Sequence, residues 1–133
     1  MIASKDLRLG NWVYDGDKTQ FPMYVQAIGE DYVYLNFEGN DGDAIESTPE
    51  DLQGIPITPE LLTKLGFTEL YGFWRRTMSK RLIAIKIDTS FVSIEAFEDR
   101  LLDSRCTCHG VKYLHQLQNL FKAISNDELK IEL

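Results

Sequence analysis

The sequence predicts an α+β fold: a small barrel of short N-terminal strands packed with an antiparallel sheet and one main C-terminal helix. Residues 1–133 are read as a single compact unit. Three observations carry this prediction. Residues 1–54 alternate apolar and polar side chains over short stretches broken by Gly- and Asp-rich turns, the pattern of half-buried strands. Residues 55–133 open with a short helix and continue with two alternating runs joined by a tight turn. Apolar residues then recur at helical spacing from 111 to 125.

Taken in order, Leu7-Arg8-Leu9-Gly10-Asn11-Trp12-Val13-Tyr14 forms the first strand and runs into Asp15-Gly16-Asp17, a turn-forming cluster. Residues 21–28 form the second strand. The third, Tyr32-Val33-Tyr34-Leu35-Asn36-Phe37, places Val33, Leu35 and Phe37 on one face. A polar loop over 38–43 precedes a short strand at Ala44-Ile45-Glu46. The segment Leu7–Val13 resembles the first strand of SH3-like barrels, in which an apolar–Gly–polar–aromatic–Val pattern is frequent. That resemblance covers about half of the chain and implies an SH3-like barrel for residues 1–54.

In Ile57-Thr58-Pro59-Glu60-Leu61-Leu62-Thr63-Lys64-Leu65-Gly66-Phe67, local chemistry marks both helix ends. Thr58 is suited to the N-cap, Pro59 to the first helical position and Glu60 to the positive end of the dipole. Ile57 and Leu62 have the spacing of a hydrophobic staple, and Gly66 can take the left-handed closing position. Thr48-Pro49-Glu50-Asp51-Leu52 starts in the same way but reaches Gly54 within one turn. A strand is expected over 67–74, and a hairpin pairs 82–87 with 91–97 across Asp88-Thr89-Ser90. In the helix over 111–125, Tyr113, Leu114, Leu117, Leu120, Phe121 and Ile124 fall within an arc of about 120°. Val111, His115, Gln118, Asn119 and Lys122 fall opposite, on the side expected to meet solvent. Leu129-Lys130-Ile131-Glu132-Leu133 alternates and is read as a terminal strand.

Composition narrows the function classes. The chain has 14 Lys and Arg against 21 Asp and Glu, a formal charge of −7, which excludes a globally basic nucleic-acid coat. No apolar run is long enough to span a bilayer, and the first residues lack the apolar stretch of a signal peptide. The expectation is therefore a cytoplasmic protein without a membrane partner. Two cysteines are too few for a disulfide scaffold. The charge is unevenly placed. Residues 15–51 hold ten acids and one base, Lys18, while 75–86 hold Arg75, Arg76, Lys80, Arg81 and Lys86 with no acid.

Four groups of residues invite chemistry. Cys106, Cys108, His109 and His115 are ligand types that zinc prefers, but Cys-x-Cys is tighter than the usual spacer and no second cysteine pair exists. Two reduced loop cysteines and two solvent-facing histidines are the favoured reading, and no cofactor is expected. The acid pairs Asp15/Asp17 and Asp41/Asp43 lack the twelve-residue calcium loop and read as solvated turns. Tyr71, Trp74, Arg75, Arg76, Lys80 and Arg81 interleave aromatics with cations, the composition of a single-strand nucleic-acid platform. The alternative is a strand with aromatics inward and charges outward. Finally, His115, Gln118, Asn119 and Lys122 form a polar helix face able to make directional hydrogen bonds to a partner. No phosphate loop, nucleophile elbow or metalloprotease motif occurs, so nothing supports an enzyme.

The three segments Leu7–Val13, Ile55–Phe67 and Tyr113–Phe121, in this order, resemble a family of small proteins from gut Bacteroidota genomes, many of them in prophages and other mobile elements. The similarity spans almost the whole chain, and His115-Gln116-Leu117-Gln118-Asn119-Leu120 is its most specific part. Where that family has Thr-Gly after the last helix, this chain has Ser125-Asn126-Asp127, a difference confined to a turn. The family has no assigned activity, so no catalytic residue is carried across. The resemblance implies a non-enzymatic accessory protein acting through contacts with a host or phage protein. The rival readings are a nucleic-acid-binding module built on segment 71–86, and a DNA mimic built on the acidic residues 15–51.

Overall fold

A computed structural model describes residues 1–16, 20–78, 80–98 and 101–133; Asp17, Lys18 and Ser79, which fall in stretches read above, lie outside them. The chain, read above as one unit, divides into two compact units. One comprises Met1–Pro56 with Tyr113–Leu120, the other Ile57–Lys112 with Phe121–Leu133. Among the described residues no helix is long and apolar enough to cross a membrane.

The first unit holds five antiparallel strands: β1 (Trp12–Asp15), β2 (Pro22–Ile28), β3 (Val33–Asn36), β4 (Ile45–Ser47) and β5 (Leu52–Gly54). They are ordered β4-β3-β2-β1-β5, with no pairing between the two outer strands, so the described strands form an open sheet and no closed barrel. The alternation in β3 holds: Val33 and Leu35 are fully buried, and Phe37 packs against the core they share with Ile2, Leu7, Val13, Met23, Val25 and Leu52. A bulge between Val25 and Ala27 shifts the β2–β3 register. Thr48-Pro49 starts a single 3₁₀ turn, Pro49–Asp51, before β5.

The second unit begins with α1 (Pro59–Lys64), and its ends are those predicted. The Leu61 N–H donates to Thr58 Oγ1 (3.1 Å), Gly66 takes φ +88°, and the Phe67 N–H closes on Leu62 O (2.9 Å). Five strands follow, β6 (Thr68–Leu70), β7 (Phe73–Met78), β8 (Arg81–Lys86), β9 (Phe91–Glu98) and β10 (Leu101–Cys108), in the order β10-β9-β8-β7-β6. The hairpin register pairs Ile83 with Ile94 and Ile85 with Val92, all buried. Three expectations need correction. The single strand expected over 67–74 is two strands, because Tyr71 and Gly72 both take positive φ and reverse the chain between Leu70 and Phe73. Residues 101–108 are a strand, not a loop. As the edge of the sheet β10 pairs on one side only, and most of it is exposed, so it needs no apolar alternation. Leu129–Leu133 is not a strand, although Leu129 is buried.

The main helix, α2 (Leu114–Ser125), starts three residues later than its periodicity suggests. Residues 111–114 use their backbone elsewhere. The Val111 N–H donates to Ser90 O, Lys112 O accepts from Ile57, and the Leu114 N–H donates to Ile55 O. Its first two turns belong to the first unit and its end to the second. Leu114, Leu117 and Phe121 of the apolar stripe are buried.

Candidate binding face

The helix face expected to meet solvent does not: His115 is 5% exposed and Gln118 3%. The reason is a set of hydrogen bonds inside the first unit. Gln118 Oε1 accepts from the Trp12 N–H (2.9 Å), and its Nε2 donates to Gly10 O (3.0 Å). Asn119 Oδ1 accepts from Asn11 Nδ2 (2.9 Å) and Arg8 Nε (3.2 Å), while its Nδ2 donates to Asp6 O (2.8 Å). Asn11, itself fully buried, accepts the Arg8 N–H at 2.7 Å. Lys122 is half-buried and donates to Asn126 O (3.3 Å), with Glu128 at 3.8 Å. The polarity of Gln118 and Asn119 that suggested a partner surface therefore serves backbone and side-chain groups of the chain itself. Burial lowers the pKa of the His115 imidazole below its ordinary 6.5, against the opposing charge of Asp6. Its Nδ1 has no hydrogen-bond partner.

The cysteine–histidine group does not assemble either. Cys106 and Cys108 stand opposite Ile94 and Val92 on one side of the second sheet. His109 lies against Phe91, which falls on the opposite side, and His115 belongs to the first unit. Among the described residues no three His, Cys, Asp or Glu form a group able to hold a metal ion. Within the acidic stretch, Asp15, Glu46 and Asp51 line a cleft of about 380 Å³ in the first unit. Asp15 Oδ1 there accepts from Ser47 Oγ (2.7 Å).

Strand alternation sorts the basic-aromatic segment into two faces. Trp74 and Arg76 stand opposite Ile85 and Ile83 on the apolar face. There Arg76 donates to Lys130 O (3.0 Å), and Arg81 pairs with Asp127 (3.3 Å). Tyr71 and Lys80 sit in turns, Tyr71 89% exposed. Of the six residues chosen from sequence only Arg75 lies on the other face of β7, two positions from Phe73. Lys86 of β8 and Phe91 of β9 are paired on that face, one step beyond the Trp74–Ile85 pair.

This second face carries a row of rings and cations running across the strands. The Phe73 ring has the Arg75 guanidinium carbon and Lys86 Nζ each 5.8 Å from its centroid. Phe91 lies 6.5 Å from Phe73, edge to face, and the exposed His109 ring lies 5.1 Å beyond Phe91. Alongside runs a row of small side chains, Ala84, Ser93 and Thr107, in register with Arg75. Farther along, Glu95 is held by Arg105 (2.9 Å). Phe91 was absent from the candidates, Phe73 and Lys86 lay inside segment 71–86 but outside its six chosen residues, and His109 stood only in the cysteine–histidine group. Counting alternate positions outward from Ile83 and Ile85 would have separated Phe73 and Arg75 from Trp74 and Arg76. Nothing local marks His109, whose place depends on the unexpected β10. No family model, curated protein or solved structure matches the chain.

Proposed function

We propose that this is a non-enzymatic accessory protein of phage or mobile-element type, acting in the cytoplasm, that binds nucleic acid through the aromatic–cation face of its second sheet. The observation that carries the reading is the Phe73 ring with two cations, Arg75 and Lys86, each 5.8 Å from its centroid, in a row that continues through Phe91 and His109. Rings offer stacking to bases and cations attract phosphates, and here both occur within one surface row. On that face the Glu95 carboxylate is already engaged by Arg105. Of the helix surface that favoured a protein partner, His115 and Gln118 are buried and Asn119 is engaged by Asn11, Arg8 and Asp6, so it offers less to a partner than the sheet face does. The SH3-like reading of the first unit is supported by its strand order, β4-β3-β2-β1-β5, with a 3₁₀ turn ahead of the last strand, in a sheet left open.

Fluorescence anisotropy with labelled mixed-sequence oligonucleotides at low salt tests the reading. The expected dissociation constant is in the range of about 1–100 µM, weakened by salt. The absence of binding across that range refutes it.

A further inference from the structure

We infer that the face takes an unpaired strand about three nucleotides long, one base on each of His109, Phe91 and Phe73, with phosphates beside Lys86 and Arg75. This rests on the nucleic-acid reading above and specifies its substrate. The ring spacing is the first argument. Centroid separations of 5.1 and 6.5 Å exceed the roughly 3.4 Å step between stacked bases of a duplex strand, so bases seated one per ring must be unstacked from each other. Ring orientation is the second. Phe73 and Phe91 stand at 78° and Phe91 and His109 at 57°, so no continuous base stack can lie on all three, whereas a splayed single strand can turn each base to its own ring.

Chemistry points the same way. A duplex hides the flat faces of its bases and offers only edges and phosphates, and a row with three rings and two cations is mismatched to that surface. Ring stacking and phosphate contacts carry no direct sequence information, so binding should tolerate any sequence. With Arg75 and Lys86 as the phosphate contacts, log affinity should fall with log salt at a slope of about −1.4, small beside that of a charge-driven binder.

The test uses the full chain with four probes: a hexathymidylate, a trithymidylate, an abasic hexanucleotide and a twelve-base-pair hairpin duplex. The hexathymidylate is expected to bind about tenfold or more tighter than the abasic strand and the duplex, with the trithymidylate retaining most of the affinity. Phe91→Ala should weaken hexathymidylate binding by about tenfold. His109→Ala, at an exposed position that folding does not need, should weaken it by about fivefold. Arg75→Gln should reduce the salt slope by about 0.7. Equal binding of duplex, abasic strand and hexathymidylate would overturn the single-strand inference while leaving nucleic-acid binding standing. Unchanged affinity in a folded His109→Ala together with Phe91→Ala would overturn it likewise. Failure of all four probes would remove both.

Discussion

Gln118 acts as a fragment of strand supplied by a helix. Its amide accepts from one backbone group of the first unit and donates to another, the Trp12 N–H and Gly10 O, where a neighbouring strand would otherwise stand. Gln118→Leu keeps the bulk but strands the buried Trp12 N–H, while Gly10, which is exposed, can turn its carbonyl to water. A loss of about 1–3 kcal/mol is expected in urea unfolding, the cost of one unsatisfied buried group. A loss below about 0.5 kcal/mol would contradict this account. His115, in the turn before it, gives a pH dependence whose sign follows from burial. Its folded pKa lies below the unfolded 6.5, so the unfolded chain gains a proton first as pH falls. Stability attributable to this group is complete above about pH 6.5, declines below it and levels off under the depressed folded pKa. His115→Phe should flatten that part of a stability–pH profile, and an unchanged slope would rule His115 out as its source. The sequence displayed Gln118 at helical spacing but could not show that its partners were backbone atoms more than 100 positions away.

Among the elements, those whose signals are local were legible. Helix α1 was legible at both ends because Thr58, Pro59, Gly66 and Phe67 act within a few residues of each other. The β8–β9 hairpin was legible because Ile83, Ile85, Val92 and Ile94 sit on one face in register. What escaped has two causes: whether β4 and β5 close a barrel depends on pairing across the unit, and 101–108, although it follows β9 directly, is an exposed edge strand without apolar alternation. The candidate site suffered most, because composition grouped Trp74, Arg75, Arg76 and Arg81 while alternation put Arg75 on one side and the others opposite. The turn between β6 and β7 makes its own prediction. Tyr71 holds φ +53° ahead of Gly72 at φ +82°, a two-residue turn of the kind that favours Asn-Gly. Replacing Tyr71 with Asn should stabilise the chain by about 0.5–1 kcal/mol by relieving the left-handed backbone. A lower thermal midpoint for Tyr71→Asn would show instead that the exposed ring contributes contacts of its own.

At the scale of the whole molecule, the chain passes from the first unit to the second, back to the first at Tyr113–Leu120 and out again. A chain ended at Lys112 therefore contains every strand of the first sheet but none of the helix residues that belong with it. Hydrogen exchange should find the amides of residues 10–14 unprotected in that shortened chain and protected in the full one. Equal protection would mean that β1 and its neighbours are self-sufficient. The same path imposes a schedule on synthesis. The Trp12 N–H must wait for a side chain 106 residues downstream, roughly 5–20 s at ordinary elongation rates. Through that interval the N-terminal sheet emerges from the ribosome unfinished, so residues made long after the first strand decide when it becomes permanent.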